Sequence, residues 1–173
     1  MSCRSECGGV WTPTSTECEA AWELYVELVT RIATVEQKPG FGIVREELNS
    51  TYSLFARTRD ILCRYGPRLA PVDRPGQLTF AGLAVGMLND ILRPLLTRWH
   101  PELGDWEARR PADVGVGAHE REWEHLDEAR EAIAGVRRAL VELATVLQEG
   151  MRVQPLTGPS AAIAVPTGGR GPN

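Results

Sequence analysis

Lysine is almost missing from this chain. Lys38 is the only one, and the other basic side chains are arginines. The bias fits a GC-rich genome and is a matter of codons, so nothing functional follows from it. Positive charge is also outnumbered: 19 Lys and Arg face 23 Asp and Glu, for a net charge of −4 and a pI near 5.5. No overall basic field therefore draws the chain to nucleic acid or to an acidic membrane. Long charge-free hydrophobic runs are missing too. The most apolar stretch, residues 78–99 (LTFAGLAVGMLNDILRPLLTRW), carries Asn89, Asp90 and Arg93, whereas a membrane span wants about 20 predominantly apolar residues.

Cysteine is scarce, with Cys3, Cys7, Cys18 and Cys63. The N-terminal residues have no continuous apolar core of the signal-peptide kind, so a cytoplasmic location with reduced thiols is the expectation. Cys3 and Cys7, with Cys18 as a third ligand, do not make the usual paired pattern of a zinc site. Cys18 and Cys63 fall on apolar faces and read as small core residues. Catalytic signatures are absent as well. The chain has no Walker-type glycine loop, dinucleotide fingerprint, nucleophile elbow or Cys-x-x-Cys pair. No strand-like pattern is present to build an α/β active site, and no cofactor is implied.

What is present is helical periodicity. Thr14-Ser-Thr-Glu17 is a capping-box pattern. It opens a helix to about residue 34 with Trp22, Tyr25, Leu28, Val29 and Ile32 as its buried stripe. Glu19, Glu23, Glu27 and Arg31 repeat every four residues and read as a solvated face. After a turn at Pro39, Gly40 and Gly42, a second helix to Tyr65 carries Val44, Leu48, Thr51, Phe55, Thr58, Leu62 and Tyr65 four and three apart. That is a bundle seam, stopped by Gly66-Pro67. Arg57, Arg59, Arg64 and Arg68 make its end locally basic, which reads as a solvated face or as an anion or acidic-partner patch.

Residues 78–99 have apolar positions over more than half of the helical wheel, which predicts an innermost helix. Its narrow polar side holds Gly82, Gly86, Asn89, Asp90, Arg93 and Thr97. Helical glycine costs about 1 kcal/mol against alanine, so two glycines four apart imply a close approach. The visitor is either another helix of the bundle or a partner chain. Pro94 predicts a kink. His100-Pro101 predicts the end of this helix and the start of a short one to Glu107. The longest helix is expected from about Ala118 to Glu149, with Gly150 as its stop. Residues 1–13 read as a flexible leader, with Trp11 able to fold back, and 151–173 as a disordered tail. Ile163 and Val165, in the apolar island of that tail, are candidate docking residues.

The densest polar region, residues 99–125, holds all three histidines and Trp99, Trp106 and Trp123. Glu122-x-x-His125 is half of the carboxylate–histidine motif of di-iron bundles. With His119, and His100 as a further ligand, it defines the metal-binding alternative; polar packing around the tryptophans is the other reading.

Three blocks are familiar: ELYVELVTRI at 23–32, YSLFARTRDIL at 52–62, and LRPLLTRWHP at 92–101 with HEREW at 119–123. Together they resemble an uncharacterised helical domain of actinobacterial multi-component systems, some of them like defence or signalling clusters. The resemblance covers about 17–149 and implies a non-enzymatic partner role. It assigns no residue a function. The expectation is an all-α antiparallel four-helix bundle over 14–150 with a short additional helix. It would act as an interaction or regulatory module whose partner is another protein chain or a second copy. A metal-dependent bundle, or a weak nucleic-acid binder using the arginine patch, is the alternative.

Overall fold

The computed structural model describes residues 11–31, 43–71, 73 and 76–156. Among them every regular element is helical. They are α1 (Ser15–Thr30), α2 (Val44–Tyr65), a 3-10 turn (Gly66–Leu69), α3 (Phe80–Gly86), a π turn (Met87–Leu92), α4 (Arg93–Glu107), α5 (Val116–Arg121) and α6 (Leu126–Met151). None of these helices is long and apolar enough to cross a membrane.

The capping box forms as its residues predict. The Thr14 hydroxyl accepts from the Glu17 N–H at 3.2 Å, and Glu17 Oε2 accepts from the Thr14 N–H at 2.9 Å. The other oxygen of the same carboxyl, Oε1, accepts the Phe80 N–H at 2.8 Å. One buried side chain, 1% exposed, thus satisfies free amides at the starts of α1 and α3, which are far apart in sequence. A second glutamate works the same way. The start of α2 has no side-chain cap of its own, and the Val44 N–H donates to Oε2 of buried Glu120 in α5 at 2.9 Å.

α3, the π turn and α4 abut without a break from Phe80 to Glu107. The strain expected at Pro94 is taken up just before it, where the Arg93 N–H bonds the Leu88 carbonyl five residues back. The wider turn relieves the clash between the Pro94 ring and the carbonyl four residues earlier. Pro101 does not begin a separate helix. It lies inside α4, and both prolines are on the exposed side, where carbonyls without an amide donor meet water. The short additional helix is α5 instead. The helix expected from Ala118 is interrupted at residues 122–125, where the chain turns and brings buried Trp123 edge-on to Trp99, ring centroids 5.8 Å apart.

Ion pairs fix the course of the helices. Glu27 meets Arg57, Glu23 meets Arg64 and Tyr65, and Arg31 meets Ser50, so α1 and α2 run antiparallel. Arg45 with Glu107 and Tyr52 with His100 set α2 antiparallel to α4. α6 packs on α1 and also reaches α2 and α4. The core has two parts. One gathers Leu24, Leu28, Leu54, Ile61, Phe80, Leu92 and Leu140; the other gathers Val44, Leu48, Trp99, Leu103, Trp123 and Ile133.

Several expected core positions lie elsewhere. Trp22 is 41% exposed, and the inner face of α1 is built from Ala20, Ala21, Leu24, Tyr25 and Leu28. On α2, Leu54 and Ile61 are buried while Phe55 and Leu62 are half-buried. Cys63 is exposed and Cys18 half-buried. Burial first, and then the charges of Glu17 and Glu19, raise the Cys18 thiol above its ordinary value. In residues 78–99 the expected polar side, with Asn89, Asp90, Arg93 and Thr97, is exposed, and apolar Val85 joins it in water.

Gly150 does not end α6. The helix ends at Met151, with Arg152 in the left-handed conformation at φ 57°. Gly150 instead makes room for Trp11, which is 5% exposed and packs near Phe80. A Cβ at Gly150 would stand 2.3 Å from Trp11 Cε3.

Two outcomes test this packing. Glu17→Ala leaves the Thr14 and Phe80 amides without acceptors and should cost about 1–3 kcal/mol for each, read by urea denaturation against Ser15→Ala. Gly150→Ala gains about 1 kcal/mol of helix propensity, but it drives out an indole whose burial is worth about 3–5 kcal/mol. The same titration should show a net loss of about 1–3 kcal/mol.

Candidate binding groove

An open groove of about 350 Å³ runs between α2 and α4, lined by Tyr52, Phe55, Arg93, Leu96, Thr97 and His100. Its position follows from helical spacing. Arg93, Leu96, Thr97 and His100 recur at three and four residues, so they share one face of α4. Tyr52 and Phe55 lie one turn apart on α2. The Thr97 hydroxyl is spent on its own helix, donating to the Arg93 carbonyl at 2.9 Å, and leaves its methyl group for the lining. The floor and walls are therefore apolar, and the polar groups stand at the two ends.

Arg93 holds one end. Its side chain is exposed and makes no ion pair or hydrogen bond with a described residue. Asp90, one turn earlier, leans the other way: its Oδ2 lies 3.9 Å from where a Cβ on Gly86 would be. His100 holds the other end. Arg45 grips both oxygens of Glu107, with Nη2 2.6 Å from Oε2, and sets Nη1 3.2 Å from His100 Nδ1. A guanidinium can only donate, so Nδ1 must accept and the ring proton sits on Nε2. That N–H is buried and has no hydrogen-bond partner. Burial, and then the Arg45 charge, lower the His100 pKa from its ordinary value of 6.5, with Glu107 opposing.

The candidate partner residues separate. Gly82, Gly86, Asn89 and Arg93 do share an outward face, but no helix among the described residues crosses the glycines. A Cβ would meet only Thr79 Oγ1 at 3.4 Å from Gly82, and only Asp90 Oδ2 at 3.9 Å from Gly86. The expected close approach within the fold is therefore absent, and of the four only Arg93 lines the groove. Ile163 and Val165 lie outside the described residues, as do Cys3 and Cys7.

Two arginines of the patch are neutralised within the fold, and exposed Arg59 makes no side-chain ion pair or hydrogen bond with a described residue. Arg57 pairs with Glu27 at 3.2 Å and with Asp60 at 3.8 Å, and Arg64 pairs with Glu23 at 2.5 Å. Arg68 donates to the Tyr65 carbonyl at 3.2 Å. The carboxylate row of α1 and the arginine row of α2, each readable alone as a solvated face, answer one another. Burial works to raise the Glu27 pKa, but Arg31 and Arg57 outweigh it and hold the carboxyl below its ordinary value.

The metal-ligand candidates are occupied with packing. His119 is buried and stacks on Trp106 with centroids 4.5 Å apart. Its Nε2 lies 2.9 Å from the Trp106 carbonyl, and Trp106 Nε1 donates to the His119 carbonyl at 3.0 Å. This reciprocal pair clamps α5 to α4. His125 sits by the rings of Trp99 and Trp123, with Glu124 and Glu128 at 3.6 and 3.7 Å. Glu122 is exposed. Among the described residues, no three His, Cys, Asp or Glu side chains gather as a metal cluster.

A recess of about 600 Å³ opens beside Trp11, where the described chain begins, between Cys18, Val146 and Met151. Its rim carries Glu149 and Arg152, of opposite sign, and lacks the donors of one kind that mark the groove. The groove walls Tyr52, Phe55 and Leu96 were not singled out by sequence reasoning. The signal available was Tyr52 itself, an aromatic ring on the polar side of an amphipathic helix. Compared with models of known protein families, with curated proteins and with solved structures, the chain matches none.

Because the folded His100 ring takes a proton at lower pH than the unfolded one, the unfolded chain binds that proton first. The His100 contribution to stability is complete above about 6.5, the ordinary value, and is lost as pH falls from there to the folded value. Denaturation curves between pH 7.5 and 5 should show a loss that His100→Asn removes. Equal pH profiles for the two proteins would contradict the Arg45–His100 geometry.

Proposed function

We propose that this chain is a non-enzymatic protein–protein interaction or regulatory module, with the groove between α2 and α4 as its contact surface. One observation carries the reading. The groove is an accessible apolar depression with an unpaired arginine at one end, while Arg57, Arg64 and Arg68 of the patch beyond it are engaged within the fold. Apolar surface combined with unpaired donors is what a docked side chain from a partner completes. The finer architecture belongs to the same proposal: an antiparallel four-helix bundle in which α3, the π turn and α4 act as one long member. So does the setting, a cytoplasmic bacterial multi-component system of the defence or signalling kind, which the resemblance implies.

Photo-crosslinking in the native cell tests this. A benzoylphenylalanine in place of Tyr52 should give a discrete protein adduct, and the same probe at exposed Glu131 should not. Leu96→Asp should abolish the Tyr52 adduct while helicity by circular dichroism stays the same. Absence of any adduct specific to Tyr52 would overturn the reading.

A further inference from the structure

The outer face of α6 is the complement of the groove. Val141 and Val146 are 49% and 37% exposed. Glu142, Thr145 and Glu149 lie beside them, all exposed. Neither Glu142 nor Glu149 makes an ion pair or hydrogen bond through its side chain with a described residue. The two carboxylates are seven residues apart, about 10.5 Å along a helix, with Val146 between them. Arg93 and His100 are also seven apart, with Leu96 between them. One surface thus offers acceptors at the two ends of a short apolar strip, and the other offers donors at the same spacing.

We infer that a second copy of this chain occupies the groove: Val146 of its α6 enters between Tyr52, Phe55 and Leu96, with Glu142 and Glu149 at the Arg93 and His100 ends. This rests on the interaction-module reading and names the partner. The charge match is direct at Arg93. At the other end the buried Nε2–H of His100 needs an acceptor. Tyr52, whose ring lies against that imidazole with centroids 5.9 Å apart, is 62% exposed. Turning it gives up little burial and widens the His100 end of the groove for an incoming carboxylate. An N–H left unpaired in the free chain and paired in the complex favours association, because the desolvation cost is already present before binding. The groove and the α6 face are different surfaces, so the contact is head-to-tail. It propagates into a ring or a filament and does not close as a two-fold dimer.

Sedimentation of the full chain tests this, from micromolar concentrations into the millimolar range, where even weak contacts are populated. Reductant is present because Cys63 is exposed. The expected result is association that grows with concentration and weakens with salt. Thr97→Trp fills the groove, and Val146→Arg sets a cation against Arg93. Both positions are exposed, so both proteins should fold, and each variant should weaken association about tenfold or more. Mixing the two variants leaves one intact groove and one intact α6 face, and a species of two chains should appear that neither forms alone. The inference is overturned by a chain that stays monomeric throughout. It is also overturned by loss of association in Thr97→Trp but not in Val146→Arg, which would mean groove-to-groove pairing, or by a mixture that stays monomeric. If the Tyr52 crosslink captures a different protein while the chain is monomeric, the module reading stands and the second copy does not.

Discussion

Two buried carboxyl groups hold the helix starts in place. A helix leaves its first amides without partners, and a buried polar group with no partner costs about 1–3 kcal/mol. Glu17 answers amides of α1 and α3 with one side chain, and Glu120 answers the start of α2 from α5. These bonds join segments distant in sequence, so they exist only when the helices are correctly placed. Glu120 shows the tension in the arrangement. Burial raises its pKa, while the amides of Val44 and Arg45 and the charge of Arg130 pull the other way. Glu47 is in the same position, raised by burial and opposed by Arg137 at 2.8 Å. Buried ions of this kind add little net stability, but breaking one is costly, so their effect is to penalise any other packing.

The same placement decides which surfaces are left over. α1 and α2 spend Glu23 and Glu27 on Arg64 and Arg57, and Arg45 spends itself on Glu107 and His100. Arg98 lies over Trp99 and pairs with Glu128. Among the side chains left unengaged are Arg93 above an apolar depression and Glu142 and Glu149 on the outer face of α6. Exposed ion pairs contribute about 0.2–1 kcal/mol each; their larger consequence here is to occupy the charges that α1 and α2 turn towards each other.

Much of the fold was legible. The capping box at Thr14 and the seam through Leu48, Thr51 and Thr58 follow from periodicity and local chemistry, and they form. The failures share a cause. Pro101 was read as a helix start and Gly150 as a stop because those residues usually are. Here Pro101 faces water inside α4, and Gly150 gives space to Trp11. Trp22 falls in the expected stripe by helical spacing, yet the buried face is turned so that the small Ala20 and Ala21 point inward instead. Of the site, Arg93 was within reach as a charge on an otherwise apolar helix. Tyr52, as an aromatic ring on a polar face, and Phe55, as a seam residue, were visible singly, but their meeting with Leu96 was not, because the depression exists only between α2 and α4.

Read alone, the order of residues determined the helical class, the approximate extent of each amphipathic segment and the lack of a membrane-crossing helix among the described residues. Those properties depend on neighbours within a turn or two, which the chain lists directly. Tertiary structure alone decided which glutamate caps which helix, which arginines are cancelled, which tautomer His100 adopts and where an apolar groove stays open. Each of these depends on a pairing between residues tens of positions apart, and a charge or a ring nitrogen has no defined role until its partner arrives.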